Sequence, residues 1–308
     1  TAGAPTTIAA NSVTTQSAIA GTAVAAPPSV LVTDAGNNPV AGVSVTFAVT
    51  AGGGAISPAS PATVSTNASG IATLTSWTLG ATVGANSVTA SVTGLAGSPV
   101  TFTATGTVGP AAALAISTQP AGAVTGVAFT TQPVVQIRDA NGNLTASAAT
   151  VTVALASGSG TLGGTTTVTA VNGVATFTDL LITGVGAHTL TFTSTGVSSV
   201  TSASLSVAAG APTQLTIGTE PAGAVSGLPF TTQPVVQIRD AGGNLTTSTA
   251  SVTATIATGT GTLAGTVTVN AVNGVATFTT LQLNGSGAHT LTFSSTGLTS
   301  ATSTSIGV

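Results

Sequence analysis

The 308-residue sequence contains no Cys, Met, Tyr or Lys, and only seven of its residues are charged. Without Cys the chain forms no disulfide and no thiolate metal site. Without Lys it has no Schiff-base nucleophile and no Lys–Asn isopeptide cross-link. Two Arg residues make no basic patch, which argues against nucleic acid and anionic membrane surfaces as partners. Two His and five carboxylates leave little for acid–base catalysis, so we expect no enzyme activity and no cofactor.

Long apolar runs are absent too, so the sequence predicts no membrane-spanning helix. Ala and Val are instead scattered among Thr, Ser and Gly. Disordered chains are poor in Val, Ile and Leu and rich in charge, so this composition favours a folded chain. The sequence begins at Thr1, without Met and without a leader, and we expect a processed or excised product that is extracellular or on a cell surface.

The chain repeats itself at a fixed offset. Residues 131–140 and 232–241 both read TQPVVQIRDA, and residues 170–178 and 271–279 both read AVNGVATFT. The offset is 101 residues in both cases, and about two-thirds of the residues in 109–207 recur at that offset without a gap. Such self-similarity indicates tandem copies of one domain.

The first hundred residues form a more distant copy. Residues 30–37 align with 135–143, with one residue fewer, and residues 70–75 align with 173–178. Each copy opens with Gly and Pro, which suits a short linker because Pro cannot join a central ladder and stiffens the chain. We therefore place domains at 1–108, 109–209 and 210–308, called units 1, 2 and 3 below.

Within each unit apolar residues alternate with Thr or Ser, as in Thr189–Thr193. This period of two predicts half-buried antiparallel strands. Asn172-Gly173 and Asn273-Gly274 are hairpin-type turns. The fold we expect is all-β: three tandem immunoglobulin-like Greek-key β-sandwiches of seven or eight strands, without the antibody disulfide. Units 2 and 3 should have the same strand count. The predicted core of unit 1 contains Val30, Val32, Val45, Phe47 and Phe102. The predicted core of unit 2 contains Phe129, Val135, Ile137, Phe177, Leu190 and Phe192, and that of unit 3 contains the residues 101 positions after these six.

Three segments carry a family resemblance: residues 32–47 (VTDAGNNPVAGVSVTF), 66–73 (TNASGIAT) and 100–106 (VTFTATG). With them, residues 30–106 resemble the bacterial immunoglobulin-like domains of invasin- and intimin-type surface proteins. Units 2 and 3 resemble more divergent repeats of that kind. The resemblance implies the fold, and a role as a stalk or spacer that presents something else.

Asp34, Asp139 and Asp240 each end a strand and lead into a Gly/Asn turn. One interpretation is a calcium hinge between domains, because Ca²⁺ takes six to eight oxygen ligands. The other is an Asx-type cap that holds the turn amides. Each turn offers a single carboxylate, so we expect the cap and no metal.

His188 and His289 occupy the same position in units 2 and 3, and Asn86 occupies it in unit 1. A polar cap at the mouth of the core fits all three. A closed zinc site needs three or four ligands, which one His per unit does not supply.

Trp77 aligns with Leu180 and Leu281, so we expect it to pack in the core and not to serve as a carbohydrate platform. Arg138 and Arg239 should lie on the surface and pair with a carboxylate or a backbone carbonyl; an interface contact is the alternative. Asn67, Asn143, Asn244 and Asn284 begin N-x-Ser/Thr sequons and are possible glycosylation sites.

We expect an extracellular structural protein, a rod of three domains that forms or belongs to a surface filament or stalk. Soluble proteins rely on roughly 25–35% charged surface residues, so these Thr-rich faces should pack on neighbouring copies or carry glycans. Joining Val308 to residues 1–5 gives VTAGAP, close to the internal junction VAAGAP at 207–212. The ends are thus in phase with the linkers, which predicts head-to-tail assembly with copies of itself through Val308, Thr1, Ala2, Gly3, Ala4 and Pro5.

Other interpretations stay open at this point. The array is either covalent or made of separate copies. The main alternative function is an adhesin fragment whose loops bind a glycan or a protein receptor. An ice- or mineral-binding surface would need flat, regular rows of Thr.

Overall fold

A computed structural model describes residues 2–308, and its strands fall into three groups. Residues 2–308 contain no helix that could cross a membrane. Unit 1 has β1 Pro5–Ala10, β2 Thr15–Ile19, β3 Ser29–Asp34, β4 Ser44–Ala51, β5 Ala55–Ser57, β6 Ala62–Ser65, β7 Ile71–Thr73, β8 Ser76–Thr78, β9 Gly84–Ser91 and β10 Val100–Thr107. Unit 2 has β11 Ala111–Thr118, β12 Ala123–Val124, β13 Val134–Asp139, β14 Thr150–Ser157, β15 Thr161–Gly163, β16 Thr167–Thr169, β17 Val174–Thr176, β18 Leu181–Thr183, β19 Gly186–Thr193, β20 Val200–Thr201 and β21 Leu205–Ala208. Unit 3 has β22 Pro212–Thr219, β23 Val235–Asp240, β24 Ser251–Thr258, β25 Gly261–Ala264, β26 Thr268–Asn270, β27 Val275–Thr277, β28 Gln282–Gly285, β29 Ala288–Ser294, β30 Ala301–Thr302 and β31 Ile306–Gly307.

Each unit is a sandwich of a three-stranded sheet and a larger sheet, and it also has a separate two-stranded sheet, which is β5-β8, β15-β18 or β25-β28. In unit 1 the sheets run β1-β3-β7 and β2-β10-β9-β4-β6. In unit 2 they run β11-β13-β17 and β12-β21-β19-β14-β16, with β20 paired to β19. In unit 3 they run β22-β23-β27 and β26-β24-β29-β30, with β31 also paired to β29. The predicted all-β fold of three tandem immunoglobulin-like sandwiches is confirmed.

The alternation in sequence becomes an alternation of burial. In β19 the side chains of His188, Leu190 and Phe192 are buried, and the residues between them are only partly so. Every residue of the predicted cores is buried, so that prediction is confirmed. Phe192 also packs on Phe177 with ring centroids 5.5 Å apart, and their unit 3 counterparts repeat the distance. Units 2 and 3 therefore share one core design.

The two Asn-Gly pairs form the predicted hairpin turns. Asn172 has φ 49° and Gly173 has φ 78°, and the unit 3 pair has nearly the same values. Positive φ at both central residues defines the tight turn whose twist matches that of its flanking strands. Val171 and Val174 close the turn with reciprocal backbone hydrogen bonds.

The described parts of units 1, 2 and 3 have ten, eleven and ten strands, so the expected seven or eight strands per unit and the expected equal count in units 2 and 3 are both wrong. In unit 2, β12 runs parallel to β21, with Ala123 opposite Val207 and Val124 opposite Ala208. The same sequence in unit 3, Ala224-Val225, forms no strand. By the 101-residue offset, the residues opposite Ala224 and Val225 would be Val308 and the position after it. The difference lies at the end of the unit and leaves the cores alike.

Candidate functional site at the joints between units

One aspartate in each unit organises the end of the unit that is next to the preceding linker. We call this the proximal end. Residues 34–38, 139–143 and 240–244 each run from Asp to Asn, and we call them the anchor turns. In the first, Oδ1 of Asp34 accepts the backbone N–H groups of Gly36 (2.8 Å) and Asn38 (2.9 Å). The Asx-type cap predicted from the sequence is confirmed in this turn.

The second oxygen of each aspartate has a role that the sequence did not indicate. Oδ2 of Asp34, Asp139 and Asp240 accepts the backbone N–H of the linker glycine at 2.7, 2.9 and 2.8 Å respectively. These glycines are Gly3, Gly109 and Gly210. Hydrogen bonds to a carboxylate are stronger than neutral ones. Each carboxylate therefore fixes the entering linker to its own unit.

These contacts hold the carboxylates in the ionised form. The backbone N–H of Gly3, followed by that of Asn38, lowers the pKa of Asp34 to about 2. Burial raises the pKa of Asp139, but the hydrogen bonds from Gly109 and Asn143 outweigh it and the net pKa is lowered. The pKa of Asp240 is lowered by the same balance.

The calcium hypothesis at these aspartates finds competing donors in the structure. Both oxygens of Asp34, Asp139 and Asp240 accept N–H groups from within the anchor turn or the linker. Among residues 2–308, no group of three or more His, Cys, Asp or Glu side chains is placed to hold a metal. The absence of a required metal stays a prediction.

The two arginines support the anchor turns from the other side. The guanidinium of Arg138 donates to the Gly142 carbonyl and to the side chain of Gln136. Arg239 makes the same pair of contacts, to Gly243 and to its own neighbouring glutamine. The sequence predicted pairing with a carboxylate or a backbone carbonyl, and the carbonyl is the partner found.

The joint between units 1 and 2 has a second set of contacts, which we call the Asn clasp. Nδ2 of Asn141 donates to the Ala20 carbonyl at 2.7 Å. Nδ2 of Asn143 donates to the Ala81 carbonyl at 2.9 Å, and its Oδ1 accepts the Val83 N–H at 3.2 Å. Three hydrogen bonds thus connect the anchor turn of unit 2 to the far, or distal, end of unit 1.

The joint between units 2 and 3 is open where the first joint is closed. Gly242 stands in the position of Asn141, and Asn244 donates its Nδ2 to Asp240 within its own turn. A cleft of about 660 Å³ separates this turn from the distal end of unit 2 at Thr125 and Thr183. A second cleft, of about 540 Å³, lies along residues 206–212 and 245–249. The linker glycine, Gly210, lines both clefts.

His188 is a buried polar cap near the distal end of unit 2. The side chain is 1% exposed. Its Nδ1 lies 2.9 Å from the Gly186 carbonyl oxygen, and its Nε2 lies 2.8 Å from the Ser159 carbonyl oxygen. A Cβ on Gly158 would come within 2.3 Å of the ring, so only glycine fits there. The ring therefore ties β19 to the loop before β15.

The equivalent residues in the other units do the same with small changes. His289 is 0% exposed and makes the same two carbonyl contacts. Asn86 in unit 1 accepts the Gly80 N–H at 2.9 Å and donates to the Gly84 carbonyl at 3.2 Å. The polar-cap interpretation made from the sequence is confirmed at all three positions.

No protein-family model and no curated protein sequence matches this chain. Solved structures do. The chain is similar to FdeC, an Escherichia coli adhesin, with 18% identity and a TM-score of 0.41 over 100% of both chains. It is similar to invasin, a bacterial integrin-binding protein, with 18% identity and a TM-score of 0.39 over 97% of this chain and 60% of that one. Surface layer protein SbsC, domains 1–6, is 16% identical, with a TM-score of 0.31 over 99% and 40%.

The family named from residues 30–106 thus reappears among the similar structures, and at these identities the likeness concerns the fold alone.

Trp77 is 0% exposed, which confirms the packing role predicted for it. No hydrogen-bond partner is found within residues 2–308 for its indole nitrogen.

The sequons lie in different surroundings. Nδ2 of Asn143 and of Asn244 donates to the aspartate of its own anchor turn. Asn67 is exposed in a turn, and Asn284 is half-buried in β28. Since Nδ2 is the atom that carries an N-glycan, Asn67 is the most accessible of the four. Glycosylation stays a prediction.

Proposed function

We propose that this chain is an extracellular structural protein: a rod of immunoglobulin-like units that belongs to a surface filament or stalk and assembles head to tail. The observation that carries the proposal is that its two ends match the two halves of its own internal joint. One half is the distal end of unit 3, and the other half is the proximal end of unit 1.

The distal end of unit 3 has an unpaired edge. In unit 2, the N–H of Thr125 donates to the Ala208 carbonyl at 2.9 Å, next to the parallel pairing of β12 with β21. The equivalent edge of unit 3 is Val225-Ser226, and within residues 2–308 nothing pairs with it in this way. Val225 is 55% exposed. The position after Val308 would supply the missing partner, in the same chain or in a second copy.

The proximal end of unit 1 holds a linker that is already seated. Gly3 donates to Asp34 as Gly210 donates to Asp240. The segment Ala2–Pro5 therefore has the anchoring that residues 209–212 have at the internal joint. Thr1 would take the place of Ala208, and it lies outside the described residues.

The surface chemistry suits association without charge. The carboxylates at the joints are committed to backbone N–H groups, as described above. Exposed hydroxyl groups pair across strands, for example Thr191 with Thr201 at 3.1 Å and Ser157 with Thr189 at 2.7 Å. An end-to-end contact is therefore expected to consist of backbone hydrogen bonds and Ala, Val and Thr packing. A heterologous contact of this kind propagates without closing, which gives a fibre.

The test uses the backbone N–H of Ser226. Ser226→Pro removes this donor, and the turn accepts proline because Gly227 has φ 81° at the third position of a turn closed from Leu228 to Val225. Ser226→Ala is the matched control, since both variants lose the hydroxyl that accepts the Gly285 N–H. Sedimentation and negative-stain microscopy should show end-to-end polymers for the parent chain and Ser226→Ala, and shorter ones or none for Ser226→Pro.

Circular dichroism should be unchanged in both variants, which separates lost assembly from lost fold. Isolated monomers of the parent chain at all concentrations, or polymers in which the ends of neighbouring copies lie far apart, would contradict head-to-tail assembly by separate copies. A single covalent stalk that presents another domain would then be the better account.

A further inference from the structure

We infer that the chain bends at the joint between units 2 and 3, and that units 1 and 2 move as one body. This goes beyond the proposed function, because it concerns the single chain and holds whether or not copies assemble. The inference rests on two joints that share a linker design and differ in the contacts beside it.

The pivot is the same in both joints. Strand β10 ends at Thr107 and Gly109 is held by Asp139, so Val108 is the one residue held by neither unit. At the second joint β21 ends at Ala208 and Gly210 is held by Asp240, which leaves Ala209. Linker length therefore cannot distinguish the two joints.

The Asn clasp distinguishes them. At the first joint, Asn141 and Asn143 reach across to backbone groups of unit 1, and Ala20 offers its carbonyl with only a small side chain around it. At the second joint the carbonyl equivalent to that of Ala20 belongs to Thr125, which lines the open cleft. The donor is missing because position 242 is glycine.

Nothing in the backbone requires glycine at this position. Gly242 is not among the glycines with positive φ. A Cβ there would lie 3.1 Å from Nδ2 of Asn244 and 3.4 Å from Oδ1 of Asp240, a tight fit that requires a small shift of the Asn244 side chain. Asn141 occupies the same setting in unit 2 between its own Asp and Asn. Gly242 thus omits the clasp without serving the turn.

The absence of cysteine gives a direct measurement. Ala51, Ser157 and Thr258 are exposed at equivalent places at the ends of β4, β14 and β24. Spin labels on the double variant Ala51→Cys, Ser157→Cys report the first joint, and labels on Ser157→Cys, Thr258→Cys report the second. We expect a narrow distance distribution for the first pair and a broad one for the second, in dilute monomeric protein.

The decisive variants exchange the clasp residue. Asn141→Gly should broaden the distance distribution of the first label pair. The population in which the first joint is open should rise about fivefold, which corresponds to the net contribution of one hydrogen bond. Gly242→Asn should narrow the second distribution, whereas Gly242→Ala, which adds a Cβ without a donor, should leave it broad. None of the three changes touches the core, and none removes the hydrogen bond between the linker glycine and its aspartate.

Equal widths for the two pairs in the parent chain would overturn the inference. So would an Asn141→Gly variant whose distance distribution is as narrow as that of the parent, since glycine at this position would then not explain an open joint. Narrowing by Gly242→Ala equal to that by Gly242→Asn would assign the effect to backbone stiffness. None of these results depends on polymer formation, so the failure of this inference and the failure of the proposed function are distinguishable.

Discussion

The two joints of this chain differ although their linkers are built alike. Both have a glycine held by an aspartate and one residue held by neither unit. At the first joint Asn141 and Asn143 hydrogen-bond across to unit 1, and at the second a cleft of about 660 Å³ lies beside Gly242, which stands in the position of Asn141. We therefore expect the stiffness of a tandem array to depend on side chains in a turn that lies outside the linker.

Relatedness between neighbouring units does not predict how firmly they are joined. Units 2 and 3 are near-duplicates, yet the open joint lies between them. Unit 1 is the distant copy, yet it is hydrogen-bonded to unit 2 at three points. The fold of a unit and the contacts at its ends thus vary independently, and each can be tested by itself.

The largest effect should come from the cores, where units 2 and 3 are alike. Phe192→Ala and Phe293→Ala each remove a fully buried ring that packs on a second phenylalanine. Each should lower the free energy of unfolding of its unit by about 3–5 kcal/mol. Denaturant titration of the two variants should give equal losses. Losses that differ widely would show that the units are less alike than their cores suggest.

The next effect should come from the linker anchors. Asp139→Ala and Asp240→Ala leave the N–H groups of the anchor turn and linker without their acceptor, and an unsatisfied buried group costs about 1–3 kcal/mol. Calorimetry should show a lower melting temperature for both. Asp179→Ala is the control, because Asp179 is exposed and bonds only Thr165. A loss at Asp179 as large as at Asp139 would contradict the anchor role.

Acid should weaken the linker anchors of all three units. The folded pKa of Asp34 is lowered to about 2 from an ordinary 3.8, and those of Asp139 and Asp240 are also lowered. A carboxyl group whose pKa is lower in the folded state stabilises that state at pH values above its unfolded pKa. This contribution to stability is lost as the pH falls from about 4 toward 2. Melting temperature against pH should fall in that window.

Trp77, the single tryptophan, reports the unit 1 part of this change by fluorescence. Asp34→Asn removes the titrating group and should flatten the dependence in that signal alone. A pH profile that Asp34→Asn leaves unaltered would mean that other groups control acid stability.

The smallest effect, none, is expected from a chelator. The aspartate oxygens already accept N–H groups, so EDTA should leave the melting temperature unchanged. A ligand that binds the folded state raises its stability by mass action, so removal of a structural calcium would show as a clear drop. Such a drop, larger at one joint than at the other, would return calcium to Asp34, Asp139 or Asp240.

Strand alternation and repetition were enough to predict the fold, the core and the polar caps from the sequence. Phe192 and His188 point inward because they lie in phase with Leu190, and that phase is visible in the sequence. The anchor role of Asp34 was half visible: the turn was predicted, but the contact with Gly3 was not. The Asp-to-Asn spacing of four residues recurs in all three units and was the available signal.

An alignment with one residue fewer in unit 1 obscured that signal. Asp34 and Asn38 match Asp139 and Asn143 without a gap, and their hydrogen bonds show the equivalence. The Asn clasp could not have been predicted in this way. Its hydrogen-bond partners lie in unit 1, more than 50 residues from Asn143, and only the relative placement of two folded units brings them together.

The duplication of units 2 and 3 has a consequence for how the chain reaches its native state. Strand β13 pairs with β17, and β23 pairs with β27. The two pairs have the same residues opposite each other in the same register. During refolding from denaturant each strand therefore meets two equally good partners, and neighbouring repeats of this kind misassemble by exchanging strands. Synthesis from the N-terminus avoids the ambiguity, because unit 2 is complete before β27 exists. Unit 1, with Leu31 and Thr33 in its version of the strand, has no such double, so its divergence protects the register of the array.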